Sequence, residues 1–458
     1  MGTLPSERLD CEGLAAPQPG TSMGNATDSN NSITMMTDSP YAWFRLAAAL
    51  LLGTIGCVGM WSSVVALPPV QAEFGIDRAS ASLPFTFALT GFAFGGALMG
   101  RLADRFGIVV PVTAGAVMLS VAYVASGFSA TVWQFAIAYG LIGLGSSATF
   151  APIMADISHW FTRRRGIAVA VASCGSYLAG TVWPPVEQYF ITTAGWRHTH
   201  IGIGLFCAGT MLPLTFLALR PRSPVSEVIT AGRTAWDPQE RLGISANALQ
   251  TLLMIAGICC CVTMVTPQVQ IVAYCGDLGY GPARGAEMLS LMLGLGVISR
   301  LVCGLIADRI GGLKTLFLVS TLQALTVLPY VVFDGLVLLY VISGTYGLFQ
   351  GGLIPMYAIV VREYFSPQEA GTRVGIVVGA TLLGMALGGW MSGAIFDLTG
   401  SYRATFVNAF VWNVFNLAIV LWLLLRDKRV EHRIAAFGLP LVPGRAHEQT
   451  DRQSERSD

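Results

Sequence analysis

Gly100-Arg101-Leu102-Ala103-Asp104-Arg105-Phe106-Gly107 and Gly304-Leu305-Ile306-Ala307-Asp308-Arg309-Ile310-Gly311 are one eight-residue phrase written twice, 204 residues apart. Trp160-Phe161 and Tyr364-Phe365 repeat at the same offset. Two matches at one spacing point to a duplicated unit. Each phrase closes an apolar run long enough to cross a hydrocarbon core of about 30 Å as a helix. Such runs recur at 45–67, 81–100, 108–128, 131–155, 166–188, 198–219, 248–273, 285–306, 314–333, 336–360, 372–395 and 404–425. The duplication assigns six of the twelve to each half.

Composition agrees. Of 458 residues 53% are hydrophobic and 12% charged, with a mean hydropathy of +0.62, so the solvent of this chain is largely lipid. A β-barrel would need short alternating segments, and the runs are continuous. The expected fold is an all-α membrane protein with twelve transmembrane helices in two pseudo-symmetric six-helix bundles. Its parts are a polar tail over 1–40, a first half over 41–220, a linker over 221–246 rich in Pro and charge, a second half over 247–426, and a tail over 427–458. Basic residues favour cytoplasmic loops. With the N-terminus inside, thirteen fall in inner loops and only Arg78, Arg197, Arg284 and Arg403 in outer ones. Both termini are therefore expected in the cytoplasm, in a multi-pass protein of the inner or plasma membrane.

The net charge of +1 offers no basic patch, and no nucleic-acid partner is expected. Cys259, Cys260 and Cys261 are consecutive, so on a helix they point about 100° apart and cannot converge on a metal. No G-x-x-x-x-G-K-[ST] loop is present to cradle phosphates. No cluster of His, Asp, Glu or Cys at one depth suggests an enzyme. No cofactor is expected.

In the two repeated loops a carboxylate ends one helix, where the positive N-terminal end of a neighbouring helix would stabilise it. The paired phrase resembles the loop signature of the major facilitator superfamily of transporters. That resemblance implies alternating access between two halves, with Asp104 facing the start of the eleventh span near Gly371 to Arg373. Asp308 would face the fifth span near Arg165 and Gly166. Asp156 is the expected partner of Arg105, and with Arg309 these residues form the expected gate. Glycine pairs Gly91/Gly95, Gly96/Gly100, Gly375/Gly379 and Gly384/Gly388 are expected to be packing seams, and seams between the halves would ease rocking.

A narrower resemblance lies in Trp160-Phe161-Thr162-Arg163-Arg164-Arg165-Gly166-Ile167-Ala168, Gly175-Ser176-Tyr177-Leu178-Ala179-Gly180 and Pro184-Pro185. With Arg300 standing eight residues before Asp308, these segments are similar to the monocarboxylate transporters and the oxalate/formate antiporters. The resemblance gives Arg300 the role of substrate-binding arginine. The chain departs from it where many relatives carry an acid one turn earlier, here Gly296, and a lysine in the first span, near Ser63. Arg300 reads as the one basic residue deep in a span, about 12 Å along the helix from Asp308. A guanidinium at that depth implies a wet cavity or an anion, which its planar fork can grip.

Trp61, Ser63, Tyr177, Gln270, Tyr346 and Gln350 are the other expected substrate-lining residues, with Gln268 and Tyr274 near Gln270. Glu187, Glu287, His198 and His200 read as solvated groups at outer helix ends. The expected function is secondary transport of a small organic anion, a monocarboxylate in the first instance, by proton symport or exchange. The chain is expected to act as a monomer, with protons as co-substrate in the symport case. The alternatives are an exporter of a larger amphipathic compound and a transporter-like sensor.

Overall fold

Twelve helices of membrane-spanning length and apolarity stand among the described residues. They are α1 (Pro40–Phe74), α2 (Arg78–Ala103), α3 (Val109–Gly127), α4 (Val132–Trp160), α5 (Ile167–Ala194) and α6 (Trp196–Ala218), then α7 (Ala246–Asp277), α8 (Pro282–Ile310), α9 (Gly312–Val332), α10 (Leu336–Tyr364), α11 (Thr372–Thr399) and α12 (Tyr402–Asp427). The computed structural model describes residues 39–161, 165–219, 242–365 and 367–436. The side chains of Asp104, 165–166, 367–368, 370–371 and 428–436 are not among those described. Nearly all of the expected tail 1–40 and most of the linker lie outside this range. The last helix continues to Ala436, ten residues past the expected boundary at 426.

The duplication is structural. Leu336 begins α10 and Pro282 begins α8, each 204 residues after the starts of α4 and α2. The closing glycines of the two repeated phrases explain themselves: Gly107 and Gly311 adopt φ +83° and +88°, a left-handed conformation that favours glycine at a helix C-terminus. Their N–H groups return to Ala103 O at 2.8 Å and Ala307 O at 2.9 Å.

Several spans are broken. α4 is interrupted between Ser147 and Ala151 and α10 between Gln350 and Leu353, at matching places in the two halves. Pro152 and Pro355 lie just beyond, and a proline removes the N–H that a carbonyl four residues earlier would use. α1 breaks at Cys57-Val58 and α5 at Cys174. Each break leaves helix carbonyls needing partners, and these prove central to the site.

The glycine pairs divide in a way the sequence does not predict. Gly91 and Gly95 press on α4, and Gly384 and Gly388 on α7, so both pairs are seams within a half rather than between halves. A Cβ on Gly96, Gly100, Gly375 or Gly379 would meet nothing within 4 Å. The close approaches between α2 and α11 are instead at Gly389, against Phe85, and Gly393, against the Arg78 and Ala79 backbone.

Those contacts lie at the end of the bundle opposite the chain termini, and there the halves are tied together. Asp397 of α11 accepts the backbone N–H of Arg78 at 2.9 Å and of Ala79 at 2.6 Å, so a carboxylate from one half caps the helix start of the other. The Arg78 guanidinium pairs with Asp277 at 3.1 Å, meets the Tyr402 hydroxyl and lies 4.5 Å over the Phe396 ring.

Candidate functional site

The middle of the molecule is built around Arg300 of α8, which is 7% exposed. Its Nη1 donates to Ser173 O of α5 at 2.8 Å and its Nε to Gly351 O of α10 at 3.3 Å. Both acceptors are carbonyls that helix breaks have released. Gly351 O would serve the N–H of residue 355, which is proline. Ser173 O would serve the N–H of Tyr177, which bonds Cys174 O instead. The guanidinium also lies 4.2 Å over the ring of Tyr177, a cation–π contact.

That ring accounts for the departure at position 296. A Cβ on Gly296 would lie 2.5 Å from Tyr177 Cε1, so an acidic side chain there would displace the ring that flanks the arginine. Gly296 thus permits close packing. Gly304, one turn beyond Arg300 on the same face of α8, has open space beside it.

Buried polar groups with unused capacity also stand on α1, α7 and α10. Gln268 Nε2 donates to Gln350 Oε1 at 2.5 Å and Gln270 Nε2 to Ser392 Oγ at 2.8 Å. Gln268 Oε1, Gln270 Oε1, Gln350 Nε2 and the Ser63 hydroxyl have no partner. Buried groups of this kind normally find one. Trp61 Nε1 is engaged with Ser176 O at 3.2 Å. Tyr346 is engaged with the backbone of α7: its hydroxyl donates to Thr263 O at 2.9 Å, the carbonyl released by Pro267 four residues on.

Arg300 is not the only deep cation. Arg45 is 0% and Arg78 7% exposed. Arg45 grips Asp156 through Nε and Nη2 at 2.8 and 2.9 Å and lies 4.6 Å over Trp160. Asp156 therefore pairs with Arg45, fastening α1 to α4, and not with Arg105, which is exposed beside Phe106. Asp308 and Arg309 are exposed. The expected helix-start contacts of Asp104 and Asp308 fall on side chains outside those described, while Arg373 bonds Glu369 at 2.8 Å and also Gln250.

The reading of the outer acids and histidines needs correction. His198 is exposed and Glu287 is partly exposed, bound to Arg284 at 3.0 Å and to Tyr340. Glu187 and His200, however, are 1% and 0% exposed. Their positions near helix ends suggested solvent, but both face inward among α1, α3, α4 and α6.

Twelve spans in two repeated halves, broken helices meeting at mid-depth and a buried cation between them define a polytopic membrane transporter. A model of the Major Facilitator Superfamily matches residues 49–347 and 334–450, and the chain belongs to that family. It is 26% identical over 384 residues to Monocarboxylate transporter 13 of Bos taurus, covering 81% of this chain and 87% of that one. It is 24% identical over 321 residues to the Aspyridones efflux protein apdF of Emericella nidulans, covering 68% and 63%. In fold it is similar to a bacterial homolog of the human lysosomal transporter Spinster, solved inward-facing and occupied. The TM-score there is 0.62, with 13% identity and 86% and 97% of the two chains covered.

Proposed function

We propose that this transporter is a secondary carrier of small organic anions, monocarboxylates foremost, working by alternating access with Arg300 as the carboxylate anchor. One observation carries the reading. Of the three buried arginines described, Arg45 has Asp156 and Arg78 has Asp277, whereas Arg300 has only carbonyls and a ring. Carbonyl dipoles orient a guanidinium but leave its charge uncompensated, which is costly at this depth. A substrate carboxylate would compete with Ser173 O for Nη1 and offer a stronger, charge-assisted bond. The unpartnered amides of Gln268, Gln270 and Gln350 and the Ser63 hydroxyl would then meet the polar remainder of a small acid.

Because Nη1 now bridges to α5, taking it from Ser173 would loosen one tie between the halves. Substrate and conformation would thereby be linked. Coupling is by proton symport or by exchange, in a cytoplasmic membrane with both termini inside. Asp104, Arg105, Asp308 and Arg309 are proposed to engage when the terminus side closes.

The test is uptake of radiolabelled carboxylates into vesicles holding the purified protein. Arg300→Ala removes charge-assisted bonds worth roughly 1.5 to 3 kcal/mol, a tenfold to hundredfold loss of affinity. Arg300→Lys, which keeps charge but not the fork, should be partly defective. Normal carboxylate binding by a stably inserted Arg300→Ala would refute the anchor. The similarity to an efflux protein supports a second reading, export of a larger amphipathic compound, which that outcome would favour.

A further inference from the structure

We propose that Glu187 and His200, which close on Ser62 from two helices, form a proton-binding site inside the first half, distinct from Arg300, whose occupancy is linked to transport. The link to transport rests on the anion-carrier reading above; the site itself does not.

Glu187 of α5 is sealed from solvent, and neither of its carboxyl oxygens has a hydrogen-bond partner. Ser62 of α1 is the polar side chain near it, without a hydrogen bond between them. Ser62 Oγ lies 2.9 Å from the Tyr139 hydroxyl and 3.3 Å from His200 Nε2. Tyr139 in turn is 3.0 Å from the same ring nitrogen, and His200 Nδ1 has no partner. The remaining titratable groups around the carboxyl are Tyr123 of α3, Tyr139 of α4 and Cys207 of α6. None is a cation, and among the described residues neither Glu187 nor His200 is in an ion pair.

An unpaired carboxylate in such a place is strongly disfavoured, whereas a carboxylic acid is tolerated. The site therefore holds a proton while it is sealed and has reason to release it once water enters. Ser62 is hydrogen-bonded to the His200 side of the cluster and stands beside the carboxyl without bonding it.

Position connects this site to the moving parts. Ser62 stands between Trp61 and Ser63, on the part of α1 beyond the Cys57-Val58 break. Glu187 follows Pro184 and Pro185, and the Thr181 carbonyl that Pro185 releases is bonded across the halves by Ser290 of α8. Rocking of α8 against α5 thus bears on the element that carries the carboxyl. Between Glu287 and Asp308 α8 itself has no acid, so a proton moving with the substrate needs another carrier, and this cluster supplies one.

Two measurements decide it. Infrared difference spectra of the purified chain in lipid vesicles, acidic against alkaline buffer, should contain a buried protonated-carboxyl band that Glu187→Gln removes and Ser62→Ala displaces. No such band in the parent, or its survival in Glu187→Gln, overturns the site, and the parent spectrum alone can do so if the variant fails to insert. In vesicles loaded for pyruvate uptake, an inward acid gradient should stimulate the parent and fail to stimulate Glu187→Gln or His200→Gln. Equal stimulation of parent and variants overturns the link. A parent that moves no carboxylate at all defeats the carrier reading and the link built on it, while the infrared result stands by itself.

Discussion

Replacing Asp397 with Ala is expected to open the end of the molecule opposite the termini. The carboxylate accepts two backbone N–H groups across the halves, at 2.9 and 2.6 Å, and faces the positive start of a helix. Charge-assisted bonds of this kind contribute roughly 1.5 to 3 kcal/mol when buried, but Asp397 is exposed, so screening reduces each to about 1 kcal/mol. Losing both removes about 2 kcal/mol from the closed state, or roughly a thirtyfold shift toward the open one. Arg78, still paired with Asp277, limits the shift. Pulsed dipolar distances between spin labels at Ala72 and Leu398, both exposed in opposite halves, measure the two populations directly. A distance distribution identical in parent and Asp397→Ala would refute the cap as a latch and reduce it to a loop contact.

Two further outcomes follow from the packing. Asp156→Ala strands the buried Arg45 and should cost about 3 to 5 kcal/mol, lowering the melting temperature of the detergent-solubilised protein sharply; Arg45→Met with Asp156→Leu should recover much of it, and a fully stable Asp156→Ala would mean that Arg45 is hydrated. Gly296→Ala drives a methyl against Tyr177 and should cost about 1 to 3 kcal/mol along with weaker carboxylate binding, whereas Gly304→Ala enters open space and should stay within about 0.5 kcal/mol; equal effects at the two positions would show that the ring does not hold Arg300.

Much of the fold was legible because its signals are local. A duplicated phrase, apolar runs of span length and glycines closing the second and eighth helices all read directly from neighbouring residues. The depth of Arg300 was legible for the same reason. Its partners were not, since Ser173 O and Gly351 O are backbone atoms released by breaks that hydropathy does not register. Arg45 was missed because it stands at the first position of an apolar run, where a long basic side chain ordinarily snorkels to water; its acid is 111 residues away. Glu187 and His200 lie near helix ends, and sequence spacing cannot tell an end packed among four other helices from one in solvent. The glycine pairs met the same obstacle: Gly95 and Gly96 differ by about 100° around one helix, and only the neighbours decide that one touches α4 and the other nothing.

The helix breaks also explain how one sequence can support two arrangements. A continuous helix satisfies its own carbonyls and has no reason to prefer one neighbour over another. Here Pro185 and Pro355, and the slip at Cys174, each release a carbonyl that a side chain of α8 then takes: Ser290 on Thr181 O, Arg300 on Gly351 O and on Ser173 O. Two of those three bonds cross between the halves. Such bonds have modest net worth, because water or a ligand can replace the partner, so separating α5 from α8 exchanges contacts instead of stranding groups. The open faces at Gly96, Gly100, Gly375 and Gly379 lie toward the termini, while Gly389 and Gly393 are in contact at the other end. Small residues at both levels of α2 and α11 let either end close without a steric barrier. Under the proposed carrier function, a ligand that prefers Arg300 to have a carboxylate in place of Ser173 O would have the differential affinity needed to bias such an exchange.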